Sequence, residues 1–336
     1  MSEIIRLQAA DKDFELFSEL PAALYPSGSL RFALPEDLNT DYLLAAYVLR
    51  ANGRAKARAA LYSNPHLQFA GQKCLCLGNY ESADEPELAQ RLLRHCCEEA
   101  KKLGAEYILG PMNGSTWNHY RFSLHHDSPG FFPEPYHHLY YNDHFKQAGF
   151  TGIARYFSSI DTIMRFDRPE VMERERELSA AGVRLRAIDL REYENELSRL
   201  FDFSLLAFRN NFLYTPVSRE TFIRKYAETK KIIDPRFVLL AEDNNGNLIG
   251  YFFCLHNFFN TKEKQLVVKT IARNPDRKWK GLGQVMANSI YKAAVQEGYS
   301  SVIHAFMIEG GTSTPTSAAF SGTVFKNYML YGKKIE

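Results

Sequence analysis

Pro275-Asp276-Arg277-Lys278-Trp279-Lys280-Gly281-Leu282-Gly283 joins a β-branched run to an amphipathic helix through a basic, glycine-containing turn. The run before it, residues 265–273, is rich in Val, Ile and Thr and ends just ahead of a proline, which predicts an extended strand. After it, Leu282, Val285, Met286, Ile290, Ala293 and Ala294 recur at helical spacing, with Gly298 as a stop. Glycines at such a junction let a helix N-terminus present bare N–H groups at close range, while Arg277, Lys278 and Lys280 supply positive charge. The chemistry is that of a polyphosphate site. No Gly-x-x-x-x-Gly-Lys-(Ser/Thr) loop occurs, which argues against a nucleoside triphosphate. A dinucleotide fingerprint would need a third glycine where Met286 stands.

The spacing Pro-x-x-(Arg/Gln)-x-x-Gly-x-(Gly/Ala) between strand and helix resembles the signature of the GNAT superfamily of N-acyltransferases. Pro275, Gly281 and Gly283 match it, with Lys278 where the family prefers Arg or Gln. The resemblance implies acetyl-CoA as cosubstrate, with its pyrophosphate held by Lys278, Trp279, Lys280, Gly281, Leu282 and Gly283. It also implies that the pantetheine arm pairs with backbone around Ile271 and Arg273, leaving the acyl carbonyl near Lys269.

The order of elements repeats. Asn52-Gly53 and Asn245-Gly246 both read as type I′ hairpin turns, with their glycines 193 residues apart. Strands at 73–77 and 266–270 follow, then helices stopping at Gly104 and Gly298, 194 residues apart, then strands at 105–109 and 299–304. Two copies of one fold are expected, 1–178 and 179–336, joined near the charged segment 168–177, read as a solvated helix or linker. The fold class is α+β, a mixed sheet with helices, built from two tandem GNAT-like domains. Residues 140–150 resemble the tyrosine-containing terminal helix and Gly-Phe ending of such domains, and 325–333 their last strand.

The copies differ at the turn. At an offset of 194, Glu87 and Ala89 stand opposite Gly281 and Gly283, and the turn reads Glu81-Ser82-Ala83-Asp84-Glu85-Pro86-Glu87. Asp84 is expected to N-cap the helix with Glu87 completing a capping box, and acids there repel phosphate. The first copy is therefore read as free of CoA.

The catalytic helpers of the family are harder to place. Many members carry a glutamate on the central strand, where this chain offers Lys269 and Thr270. Many use a helix tyrosine, where residues 312–320 have none. Glu309 and His304 are the nearest ionisable candidates, His304 reading better as a core histidine. Asn113, Ser115 and Tyr136 of the first copy are candidate acceptor contacts in a cleft between the halves. Six histidines at 119–144 lie among aromatic residues and prolines; no ligand spacing marks a metal site, and the alternatives are a substrate-lining loop or a structural lid.

With 336 residues and a formal charge of +2, the chain is long enough for two cores and lacks the basicity that would call for nucleic acid. Five cysteines, odd in number and within apolar patterns, read as reduced core thiols. No signal layout and no apolar run of about 18 residues is present, so a cytoplasmic protein without membrane contact is expected. The leading functional reading is acetyl-CoA-dependent acylation of an amine on a small-molecule or amino-acid-like acceptor. The alternatives are a Fem-type aminoacyltransferase using aminoacyl-tRNA, and a GNAT-like protein that binds CoA without chemistry.

Overall fold

A computed structural model describes residues 2–311 and 322–336. These divide into two compact units, 1–155 with 212–215 and 326–336, and 156–211 with 216–325.

The first unit contains β1 (Ser2–Leu7), α1 (Glu15–Leu24), β2 (Leu43–Ala51), β3 (Arg54–Tyr62), β4 (Gln68–Phe69), β5 (Gln72–Ser82), α2 (Pro86–Lys102), β6 (Tyr107–Gly110), β7 (Phe122–Ser123) and α3 (Tyr141–Gln147). β8 (Thr151–Asp161) starts in it. β1, β2, β3 and β5 pair antiparallel in sequence, and β5 pairs parallel with β6. Asn52 and Gly53 both have positive φ, as a type I′ turn requires, and they connect β2 directly to β3. Ala89, Leu92, Leu93, Cys96, Cys97 and Ala100 form the buried stripe of α2, which packs on the sheet through Leu75, Leu77, Tyr47 and Leu49.

The second unit holds α4 (Pro169–Ala180), β9 (Arg184–Ala187), α5 (Tyr193–Phe208), α6 (Arg219–Ala227), β10 (Val238–Glu242), β11 (Leu248–His256), β12 (Gln265–Arg273), α7 (Leu282–Gln296) and β13 (Ser301–Ile308). β9, β10, β11 and β12 pair antiparallel in sequence, and β12 pairs parallel with β13. α7 buries Leu282, Val285, Met286, Ile290 and Ala294 against Phe252, Leu266 and Val268. Both central helices end alike: Gly104 and Gly298 are left-handed, and Ala105 and Tyr299 donate back five residues to the carbonyls of Ala100 and Ala294, at 3.1 and 2.9 Å.

Four details differ from the sequence reading. First, the units part inside β8, between Arg155 and Tyr156, rather than at 178/179. β13 pairs with residues 156–161 of β8, whereas β6 pairs with residues 331–334 of the final strand, β14 (Thr323–Lys334). Each copy's last strand thus completes the other's sheet. Second, the charged segment is a helix from Pro169, as one of its two readings had it, but not a wholly solvated one, because Val171 and Leu178 of α4 enter the second unit's core. Third, the Asn245-Gly246 turn is not type I′: only Gly246 has positive φ, and the Asp243 carboxylate accepts the Asn245 and Asn247 amides, both at 2.9 Å. Fourth, α2 has no capping box. Its cap is Glu85, whose side chain pairs with Lys56 at 2.7 Å, with Pro86 as the first helical residue.

All five cysteines are buried free thiols. Burial pushes the thiols of Cys76, Cys96 and Cys254 well above their ordinary pKa, which suppresses thiolate chemistry.

Candidate functional site

β12 and β13 pair over four residues only, from Gln265 opposite Ser301 to Val268 opposite His304. Immediately beyond, the register of β12 against β11 steps over Lys269, from Val268 opposite Cys254 to Thr270 opposite Phe253. A bulge there re-aims the strand. β13 is also irregular past His304, with Phe306 at φ +58°. Residues 270–273 therefore remain paired to β11, and among the described residues no strand pairs with their β13 side, the side an extended ligand could join.

The strand runs into the basic turn. Trp279 is buried in the core and anchors it, with the Lys278 ammonium 4.8 Å from its ring, so its contribution is to packing. Arg273 braces the turn from within, donating to the carbonyls of Asn274 at 2.6 Å and Asp276 at 3.0 Å. Asp276 caps the short 3₁₀ turn of Arg277–Trp279 by accepting the Lys278 amide at 3.0 Å. Arg277, Lys278 and Lys280 remain exposed. Gly281, at φ +88°, caps α7, and no side chain caps that end. The first-turn amides of a helix have no carbonyl behind them, so Leu282 and Gly283 offer theirs outward. Leu282 itself is fully buried and supplies only backbone. Gly283 sits above Ile271, whose Cγ2 would lie 3.7 Å from an added Cβ. The end of β12, the loop and the α7 N-terminus thus form one surface, positive in charge and rich in donors, with the chemistry that suits an anion.

The corresponding place in the first unit is closed. β5 and β6 also part, after Cys76 opposite Leu109, and Asn79 bulges at φ +45°. There the gap is filled by the chain after β6: Met112 donates to the Leu77 carbonyl at 2.9 Å, and Asn113 Oδ1 accepts the Asn79 amide at 2.9 Å. A Cβ on Gly78 would stand 2.2 Å from that Oδ1, so only glycine fits. Farther along, Tyr140 donates to the Ser82 carbonyl at 2.9 Å and Tyr141 accepts the Ser82 amide at 3.2 Å. The connection to α2 is three residues, 83–85, against eight, 274–281, in the second unit.

Asn113 and Ser115 are both buried and engaged within the first unit. The Asn113 amide also donates to the Asp37 carbonyl at 2.6 Å, while Ser115 Oγ accepts the Trp117 amide at 3.3 Å and donates to Asn118 at 3.1 Å. Tyr136 stacks on His126 at 4.8 Å and lines a cavity of about 90 Å³ with Arg31, Glu36, Glu81 and Asn113. This cavity backs onto a buried ion network. Arg31 donates to Glu81 at 2.6 Å and to Glu36 at 2.7 Å, and fully buried Arg58 donates to Glu36 at 2.9 Å and to the Phe17 carbonyl at 2.7 Å. Burial alone would raise the Glu36 carboxyl, but Arg58 and Arg31 hold it down at about 2. The strand glutamate and helix tyrosine sought in the second copy meet in the first, where Tyr141 donates to Glu81 at 2.7 Å. Tyr25 and Arg31 lock that carboxylate in place.

Four of the six histidines, His126, His137, His138 and His144, pack against the first unit's aromatic rings: His138 stacks on Tyr25 at 4.2 Å, and His144 meets the Tyr80 hydroxyl at 2.9 Å. His137 accepts the Ser123 amide at 2.7 Å, and burial lowers its pKa to about 3. Among the described residues no group of three or more His, Cys, Asp or Glu could hold a metal ion.

In the second unit His304 is buried against the Tyr291 hydroxyl at 2.7 Å, and burial lowers its pKa to about 4. Glu309 stands exposed in the turn after β13. Lys269 is exposed at the bulge. Residues 312–320, where a helix tyrosine was sought, lie outside the described residues. Sequence reasoning missed Arg174 on α4, which donates to the carbonyls of Lys280 at 2.8 Å and Lys278 at 2.6 Å. Its neighbours are alternating charges typical of a solvated helix, so no local signal marks it.

No protein-family profile matches the chain, and no curated protein matches it. Solved structures do. A GCN5-related N-acetyltransferase from Sphaerobacter thermophilus shares 15% identity over 100% of this chain and 96% of its own, with a TM-score of 0.55. A tandem GNAT protein from the clavulanic acid biosynthesis pathway shares 15% identity over 100% and 99%, with a TM-score of 0.51. The GCN5-related glucosamine N-acetyltransferase region of a fungal multi-domain β-N-acetylglucosaminidase gives 12% identity and a TM-score of 0.57, this chain covering only 38% of that protein. The chain has the fold of the GCN5-related N-acetyltransferases. It has that fold in the tandem form, with two units built on one strand order. Among the described residues no helix is long and apolar enough to cross a membrane.

Proposed function

We propose that the second unit binds acetyl-CoA and transfers its acetyl group to an amine of a small-molecule or amino-acid-like acceptor. One observation carries the reading: a bulged strand parted from its parallel neighbour leads, through a basic turn, into an uncapped helix N-terminus. The likeness of the whole chain to GCN5-related N-acetyltransferases supports it.

The residues fit the cosubstrate. The amides of Gly281, Leu282 and Gly283 would receive the pyrophosphate, with Arg277, Lys278 and Lys280 as countercharge, and the backbone at Ile271 and Arg273 would pair with the pantetheine amides. That would leave the thioester at Lys269, where the bulge interrupts the register and strand amides would meet the developing oxyanion. The acceptor, as a free amine, forms a C–N bond to the acetyl carbon; the C–S bond breaks, CoA leaves as thiolate and takes up a proton, and the ammonium of the adduct loses one. Among the described residues β12 carries no carboxylate, so proximity and orientation supply most of the acceleration.

Calorimetry of the full chain with CoA tests the binding step, and one site per chain is expected. A screen of amines with acetyl-CoA, read by release of free thiol, tests the transfer. Absence of CoA binding overturns the reading, whereas binding without turnover on any amine favours a protein that keeps the ligand and lacks the chemistry.

A further inference from the structure

We propose that Arg174 is a positioning residue for the anion loop, an inference that rests on the acetyl-CoA reading above. Its guanidinium forks across the turn: Nε donates to the Lys280 carbonyl at 2.8 Å and NH2 to the Lys278 carbonyl at 2.6 Å, while NH1 pairs with Glu177 at 2.6 Å. A trans peptide is planar, and its N–H points opposite its C=O. Fixing the Lys280 carbonyl toward α4 therefore turns the Gly281 amide away from α4, the first in the run that continues through Leu282 and Gly283. A loop without that restraint would have to pay the ordering entropy when ligand binds.

The same contact gives Gly281 a second reason to be glycine. A Cβ there would lie 2.9 Å from Arg174 Cγ, on top of the strain of φ +88°. The stem of Arg174 fills the space a side chain would need, so the glycine and the arginine form one joint. All three donor groups of the guanidinium are committed to protein, and Glu177 offsets its charge. Arg174 thus acts through loop geometry, whereas Arg277, Lys278 and Lys280 act through charge. α4, which the sequence offers as a linker, is a working part of the second unit.

The test is calorimetry of the full chain with CoA over a range of salt concentrations, for wild type, Arg174→Ala, Arg174→Lys and, as a charge reference, Lys278→Ala. Losing two charge-assisted hydrogen bonds predicts about 10- to 100-fold weaker binding in Arg174→Ala. Its salt dependence should match wild type, because no ligand-facing charge has gone, whereas Lys278→Ala should flatten it. Arg174→Lys should remain weak, since one ammonium cannot span two carbonyls as a planar fork does. It also retains the aliphatic stem against Gly281, and carries the comparison should the alanine variant lose its fold. Wild-type affinity in both variants would overturn the proposal. So would a loss of affinity with the salt slope flattened as in Lys278→Ala, which would make Arg174 a direct ligand contact. Failure of the wild-type protein to bind CoA is a separate result, and would overturn the functional reading itself.

Discussion

The turn between β5 and α2 and the turn between β12 and α7 occupy the same place in two copies of one fold, and they have been spent on opposite ends. In the first copy three residues close the connection, a proline opens the helix, and two tyrosine hydroxyls take the backbone of Ser82. In the second, eight residues make a basic loop, a left-handed glycine opens the helix, and no side chain caps its first amides. The strands before the two turns both carry a bulge and both part from the next strand. What distinguishes the two turns is thus whether side chains satisfy the backbone there, and only the second leaves the amides that the proposed ligand would need.

Removing the first copy's core ion should have the largest effect. Arg58→Ala leaves Glu36 and the Phe17 carbonyl without their buried cation, which costs about 3–5 kcal/mol. Denaturant unfolding should show that loss while CoA affinity, measured where the variant remains folded, stays at wild type. A parallel loss of affinity would mean that the copies are not divided in function as described.

Importing the first copy's acid into the second, by Gly281→Glu, should weaken CoA binding by 100-fold or more, about 3 kcal/mol. The side chain would collide with Arg174 and bring negative charge to the helix N-terminus. Glu87→Lys in the first copy should change nothing; equal losses from both substitutions would show the site to be misplaced.

Asn113 separates a plug from an acceptor contact. Asn113→Ala strips the Asn79 amide of its acceptor and should destabilise the protein by about 1–3 kcal/mol, with KM for any amine unchanged. A raised KM at full stability would restore it as a substrate contact.

His304 gives the second copy a pH dependence. Its folded pKa lies near 4 against 6.5 for the free side chain, so between those values the unfolded chain takes up a proton that the native state refuses. Stability should therefore fall as pH drops from about 6.5 toward about 4. His304→Gln should flatten that slope in a series of thermal melts, and a slope that persists would assign it elsewhere, with His137 the first suspect.

The smallest effect is expected at Glu309. Glu309→Gln should reduce kcat far less than the roughly 100-fold that a general base supplies, since the side chain stands in solvent. A loss of that size, with the acidic limb of the pH profile gone, would make Glu309 the base.

Sequence alone determined what is decided within a few residues of the chain. The strand, basic turn and helix around 275–283 were legible because a proline, a left-handed glycine and an apolar stripe each act locally, and the copy was legible because Gly104 and Gly298 stop two helices by the same backbone geometry. The I′ turn at Asn52-Gly53 was legible for the same reason, while the one at Asn245-Gly246 was not, because the Asp243 carboxylate captured its amides first.

Tertiary structure decided what depends on partners far along the chain. The exchange of β8 and β14 leaves no mark in periodicity, since a strand reads the same whichever sheet it joins. Asn113 looked available because only the fold brings it, 34 residues on, against the Asn79 amide. Arg174 looked like one more charge on a solvated helix until the fold set it beside carbonyls 104 and 106 residues away. Local propensity fixes which backbone groups a turn leaves unpaired, and only packing fixes which of them the protein covers itself.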